Sequence, residues 1–127
     1  MKSLLIVTGA IEAATGLALL GLPSLVVSLL LGGSLDAPAA LVVARMTGAA
    51  LLALGVACLL ARNDSNSRAA AGLVTAMLLY NGAAVSVFVY ARVGLGLTGI
   101  GLWPVFFLHA ALAIWCIACL RRQRKSH

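Results

Sequence analysis

The stretch SLLIVTGAIEAATGLALLGL, residues 3–22, decides the fold of this chain. Every side chain in it except that of Glu12 is apolar, small or hydroxylated. A helix of about 20 such residues is long enough to cross the hydrocarbon core of a bilayer. Three further windows of the same kind follow, at residues 37–61, 69–91 and 100–120. The sequence therefore predicts four transmembrane helices.

The overall composition supports this interpretation. Of 127 residues, 63% are hydrophobic and 9% are charged, and the mean hydropathy is +1.12, which lies far outside the range of soluble domains. The apolar windows are too long and too continuous for barrel strands, so they must satisfy their backbone groups as helices. We expect an all-α integral membrane protein, a four-helix transmembrane bundle forming one domain over residues 1–127.

The first window resembles a secretory signal because Lys2 precedes an apolar run. Two features favour a retained span: Glu12 interrupts the run, and no small-x-small cleavage site leads into a polar mature chain. We therefore count residues 3–22 among the membrane spans.

Positive charges predict the orientation of the bundle. Four spans place the N-terminus, the second connection and the C-terminal tail on one side, and the basic residues of that side are Lys2, Arg62, Arg68, Arg121, Arg122, Arg124 and Lys125. The other side receives Arg92 alone. The positive-inside rule then places both termini in the cytoplasm of a bacterial inner membrane. We interpret Arg121, Arg122, Arg124 and Lys125 as a topology anchor that contacts anionic lipid headgroups. Nucleic acid is not an expected partner, because no basic face with interleaved aromatic residues is present.

Two connections contain features of their own. Residues 24–31 are more apolar than a loop requires, and Pro23 disfavours a straight continuation of the first helix. This segment is expected either to continue the first helix with a kink or to lie along the outer interface. The third connection contains a GxGxxG spacing at residues 94–99, but it has no preceding strand and no room for a βαβ unit, so a dinucleotide site is not expected.

A short echo links the first two spans: Thr8-Gly9-Ala10 with Gly16, and Thr47-Gly48-Ala49 with Gly55. Small residues allow membrane helices to approach closely. Because this preference alone produces such echoes, we interpret the pattern as helix packing rather than as an internal repeat.

Each span carries one strongly polar residue, namely Glu12, Arg45, Asn81 and His109. Counted from the outer helix ends at the rise of an α-helix, the four lie about 9 to 16 Å deep. They are therefore expected to share one layer and to turn inward, since an ionisable group in hydrocarbon is costly.

Arg45 is the expected partner of Glu12, because a buried guanidinium needs a nearby carboxylate. Two interpretations of the layer stay open at this point. It is either a satisfied structural network that fixes helix register, or a polar pocket for a small ligand or a proton-coupled solute.

Enzyme activity is not expected. The chain offers no Ser/His/Asp set and no paired carboxylates within one side of the membrane. Cys116 and Cys119 form a CxxC, which leaves thiol-redox activity as an alternative, but both are expected near the reducing cytoplasm and, like Cys58, are best interpreted as small apolar packing residues. No cofactor or metal is predicted.

In its first-helix GAIEAATG and its four spans, the chain superficially resembles the small multidrug resistance exporters. That resemblance implies a glutamate that exchanges protons for cationic drugs, but a fixed charge at Arg45 would repel such a substrate. Taken whole, including GLWPVFFLHAALAIW at residues 101–115, the chain resembles more closely the uncharacterised small four-helix inner-membrane proteins of bacteria, which carry no known residue roles.

Three hypotheses for function follow. The protein is an inner-membrane protein whose polar layer is structural or binds a small ligand, or a small proton-coupled transporter acting as an oligomer, or an accessory subunit of a larger membrane complex. The partners expected besides lipid are a second copy of the chain or another membrane protein.

Overall fold

A computed structural model describes residues 1–124 of the chain. Within that range the fold is entirely helical, with five helices: α1 (Lys2–Gly21), α2 (Pro23–Leu31), α3 (Pro38–Ala61), α4 (Arg68–Val93) and α5 (Leu102–Arg124). Four of them, α1, α3, α4 and α5, are long and apolar enough to cross a membrane. Each occupies one of the four windows predicted from the sequence, so the all-helical bundle with four apolar helices is confirmed.

The break between α1 and α2 falls at Leu22 and Pro23. Leu22 leaves the helical region, with φ −132° and ψ 51°, and Pro23 occupies the first position of α2, where its missing N–H costs nothing. Residues 23–31 therefore neither continue α1 nor form a loop, but make a separate nine-residue helix. Gly32 ends this helix in the left-handed conformation, with φ 73°.

Two antiparallel helix pairs make up the bundle. α1 packs most extensively against α3, and α4 packs against α5. The second connection is short and polar: a single 3₁₀ turn, Arg62–Asp64, precedes Ser67, whose hydroxyl accepts the backbone N–H of Ala70 at 3.1 Å and so caps α4.

The echo between the first two spans is the contact surface of α1 and α3. A Cβ added to Gly16 would lie 2.7 Å from the carbonyl oxygen of Gly48, and one added to Gly55 would lie 2.8 Å from that of Gly9. Glycine thus allows the two backbones to touch at two points, two helical turns apart. These contacts fix the register, with Gly16 opposite Gly48 and Gly9 opposite Gly55.

The two ends of the bundle differ in packing. At the end that carries the start of α1 and the end of α5, buried apolar side chains from all four long helices form a compact core, which includes Leu4, Leu5, Cys58, Val74, Met77, Leu112 and Cys116. Towards the end that carries α2, the space between the two helix pairs is not filled by side chains in this way. A pocket opens there instead.

Candidate functional site

The pocket has a volume of about 250 Å³ and lies between α1, α2, α4 and α5. Its walls are mostly apolar, and α2 contributes three of the lining residues, Val26, Leu29 and Leu30. Four lining side chains carry polar atoms: Glu12 and Thr15 from α1, Tyr80 from α4 and His109 from α5. An apolar chamber with a few converging polar groups is the usual form of a small-molecule site.

Glu12 is the most unusual of these side chains. It is 2% exposed, and its Oε1 atom is buried without a hydrogen-bond partner among the described residues. The Tyr80 phenol is the hydrogen-bonding side chain that approaches the carboxylate, yet it does not satisfy Oε1. A buried carboxylate oxygen without a partner costs more free energy than a neutral polar atom in the same position.

Asn81 and His109 form a hydrogen-bonded pair, of which His109 lines the pocket. The Asn81 amide donates from Nδ2 to the carbonyl oxygen of Met77 at 2.7 Å, which identifies the other amide atom, Oδ1, as an acceptor. His109 Nδ1 lies 2.8 Å from that oxygen, so Nδ1 carries the hydrogen and donates it. In the neutral imidazole the remaining nitrogen, Nε2, then has a free lone pair.

The position of the His109 ring is fixed by two aromatic neighbours. Tyr80 meets it edge-on, with ring centroids 5.5 Å apart, and Phe88 stacks against it at 5.8 Å. Nε2 makes no hydrogen bond within residues 1–124, and it is not sealed in the core, since the buried unpartnered side-chain atoms there are Glu12 Oε1 and Thr8 Oγ1. His109 is thus a pocket-lining residue whose ring carries one nitrogen without a hydrogen-bond partner in this range.

The structure brings together three of the four residues of the expected polar layer. Glu12, Asn81 and His109 are buried and cluster around Tyr80, but Arg45 lies apart on an exposed face of α3. Its side chain lines a different cavity, next to Gly21, Ser24 and Leu41. The expected pairing of Arg45 with Glu12 is therefore wrong for this structure.

The glycine contacts explain this correction. With Gly16 opposite Gly48, Arg45 stands level with Leu19, which is about 10 Å further along α1 than Glu12. The estimate of equal depth assumed that α1 and α3 reach the outer boundary at Leu22 and Ala37. The backbone contacts instead offset the two helices, and they turn the pocket face of α1 away from α3.

The three cysteines lie outside the pocket. Cys58, Cys116 and Cys119 are buried free thiols within the apolar core at the opposite end of the bundle, in agreement with the packing interpretation. Of the expected topology anchor, Arg121, Arg122 and Arg124 are exposed at the end of α5, and Lys125 lies outside the described residues.

Sequence reasoning missed Tyr80, and it assigned Thr8 to helix packing alone. Tyr80 immediately precedes Asn81, so helical spacing assigns it to a different face, and only its hydroxyl in an otherwise apolar run could have drawn attention to it. Thr8 stands one turn below Glu12 on α1, is 1% exposed, and has an unpartnered hydroxyl oxygen. Thr15 was placed correctly near Glu12 but was assigned to helix packing rather than to a pocket wall.

Comparison with known protein families, curated proteins and solved structures found no match to this chain. Chemical interpretation therefore depends on the geometry of the pocket. Its walls suit an apolar molecule. The polar groups that line it include the carboxyl group of Glu12, the imidazole of His109 and the phenol of Tyr80.

Proposed function

We propose that this protein is a bacterial inner-membrane protein, with both termini in the cytoplasm, that binds a small and mainly apolar ligand in the pocket between α1, α2, α4 and α5. The observation that carries the proposal is Glu12 Oε1, a buried acceptor without a partner on a side chain that lines a cavity. A ligand that hydrogen-bonds to the Glu12 carboxyl group from the pocket offsets part of the cost of burying it.

The same observation argues against a purely structural network. A buried polar network stabilises a bundle only when all of its members are satisfied. Asn81 and His109 bond to each other, but Glu12 has no cation beside it, because the arginine expected there lies at another cavity. A carboxylate kept in place at a cost to stability is typical of a functional site.

Pocket size sets the size of the ligand. A cavity of about 150 Å³ lined by apolar side chains takes up benzene. The pocket of about 250 Å³ therefore accommodates one aromatic ring, or an equivalent aliphatic body, together with a short side chain.

The orientation has support from the fold. The N-terminus, the C-terminal end of α5 and the α3–α4 connection lie at one end, where Gln123 donates to the backbone carbonyl of Asn66 and where Met1, Asn66 and Arg122 surround one cavity. Most of the basic residues lie at this end as well, so it faces the cytoplasm. The pocket then opens in the outer half of the membrane, where Arg45 extends its guanidinium towards outer headgroups.

Photolabelling in lipid nanodiscs tests this function. The probe is a neutral trifluoromethyl-phenyl-diazirine, which partitions into the bilayer and, on illumination, inserts into the side chains that it contacts. We expect labelling of the pocket segments of α1 and α5, around Thr15 and Leu108, above the background set by lipid-facing residues of α3 such as Val43, which is 65% exposed.

Two variants fill the pocket and one serves as a matched control. Ala18→Phe and Val26→Phe place an aromatic ring in the cavity from α1 and from α2, and each is expected to abolish the excess labelling. Ala14→Phe adds the same ring on the exposed side of α1 and is expected to leave it unchanged. Equal labelling of all three variants and the wild type would show that the pocket does not bind the probe.

A further inference from the structure

We infer that the ligand of this pocket is an organic molecule with a primary ammonium group on a short apolar body, a conclusion that rests on the proposed function. The polar side chains that line the pocket include the carboxyl group of Glu12, which an ammonium ion can pair with in its ionised form, and the imidazole of His109. The ligand must bring the complementary donors and the positive charge.

Glu12 sets the charge of the ligand. When ionised, its carboxylate accepts hydrogen bonds and donates none, and burying that charge without a counter-charge is costly. Neither arginine of the outer half compensates it, since Arg45 lines one separate cavity and Arg92 lines another. A cation that enters with the ligand removes this cost, whereas a neutral ligand does not.

His109 sets a second acceptor position. Because Asn81 Oδ1 accepts the hydrogen on Nδ1, the other ring nitrogen, Nε2, carries a lone pair that can accept a hydrogen bond. A ligand that bonds to both the His109 imidazole and the Glu12 carboxyl group from the pocket therefore needs at least two N–H or O–H donors on its head group. A primary ammonium has three, and a quaternary ammonium has none.

Tyr80 completes the arrangement. Its phenol lies beside the Glu12 carboxyl group and lines the pocket, and its oxygen has lone pairs that can accept a hydrogen bond. Its ring, which also contacts His109, supplies a π face that attracts cations. A divalent metal is a poorer fit, because no group of three or more His, Cys, Asp or Glu side chains suited to a metal ion occurs within residues 1–124, and metal sites generally use more protein ligands than one carboxylate and one imidazole.

Competition against the diazirine probe tests the inference. Three competitors share one aromatic body: phenethylamine, its uncharged isostere propylbenzene, and phenethyl-trimethylammonium, which keeps the charge but has no N–H. Each is titrated against wild type and against Glu12→Gln, which keeps the shape of the side chain and removes its charge. Comparison of the same competitor between two proteins cancels its partition into the bilayer.

The expected result is selective. Glu12→Gln should raise the concentration of phenethylamine that halves the labelling by about tenfold or more, since it removes a hydrogen bond to a charged group, and should change the value for propylbenzene little. Phenethyl-trimethylammonium should compete more weakly than phenethylamine in the wild type. His109→Phe should weaken phenethylamine alone.

Two results would overturn the inference and leave the proposed function intact. In the first, the pocket is labelled, but Glu12→Gln shifts the half-maximal concentrations of phenethylamine and propylbenzene equally. In the second, the quaternary amine competes as strongly as the primary amine. If the wild type shows no labelling of the pocket, or if Ala18→Phe does not remove that labelling, the proposed function itself is overturned.

Discussion

Asn81 Oδ1 accepts the Nδ1–H of His109 at 2.8 Å, and this contact joins α4 to α5 beside the pocket. The bond links residues 28 positions apart in the chain, so it holds the register of the second helix pair. It also determines which nitrogen of His109 is available to a ligand.

We expect His109 to populate the Nδ1–H form in the folded protein. Nitrogen-15 NMR of histidine-labelled protein, with His109→Phe used for assignment, measures this directly. Asn81→Leu should abolish the preference and reduce the free energy of unfolding by about 1 to 3 kcal/mol, because it leaves a buried donor unpaired. Ser86→Ala is the control, since Ser86 is exposed and bonds only to its own helix. A dominant Nε2–H form in the wild type would contradict the assignment.

Close packing of α1 on α3 gives the second prediction. In Gly16→Ala the new Cβ would lie 2.5 Å from the backbone nitrogen of Leu52, so the two helices must separate, at a cost of about 1 to 3 kcal/mol. Gly82→Ala serves as the control because a Cβ there meets nothing within 4 Å, and it should be neutral or stabilising. Melting temperatures in one detergent measure both, and equal values for the two variants would show that the glycine contact is not what holds the helix pair.

Much of this architecture follows from the sequence alone. Hydrophobic length determines the four long helices, and the spacing of Gly9, Gly16, Gly48 and Gly55 indicates where two helices meet. Proline at position 23 indicates the break after α1. In each case the signal is local, a run or a spacing within one segment, and it needs no knowledge of neighbouring helices.

The relative heights of the helices could not be predicted in this way. Counting residues from assumed membrane boundaries placed Glu12 and Arg45 at one depth, whereas the backbone contacts of Gly16 and Gly48 offset them. The partner of Glu12 is set by the arrangement of four helices in space, which is why Tyr80, on a different face from Asn81, was missed. That the short helix α2 lines the pocket could not be predicted either, because this depends on how the long helices are arranged around it.

A double-mutant cycle of Glu12→Leu and Arg45→Leu tests that correction. Because the two side chains do not meet, we expect a coupling free energy below about 0.5 kcal/mol. Glu12→Leu alone should be neutral or stabilising, since it replaces an unpartnered buried acceptor with an apolar group. Unfolding measurements in detergent provide the four values. Strong loss in each single variant with recovery in the double variant would restore the direct pair.

Membrane orientation is open to a cysteine test. The three native cysteines are buried, so they should react slowly with a membrane-impermeant maleimide. We expect Asn66→Cys, in the α3–α4 connection, to react only when the reagent reaches the cytoplasmic face, and Ala37→Cys, at the opposite end, to react in intact cells. Both positions are exposed. The reverse pattern would invert the proposed topology.

The contact of Gly99 with α2 gives the last prediction. A Cβ on Gly99 would collide with the carbonyl group of Leu30, at the point where the N–H of Gly101 donates to the carbonyl oxygen of Leu29 at 2.8 Å. Gly99→Ala should therefore push α2 away from α5, speed the hydrogen exchange of α2 amides and weaken diazirine labelling around Thr15. Gly33→Ala, where a Cβ meets nothing within 4 Å, should leave exchange and labelling unchanged. Helix α2 supplies three of the residues that line the pocket. If Gly99→Ala speeds the hydrogen exchange of α2 but leaves the labelling undiminished, ligand binding does not depend on this helix.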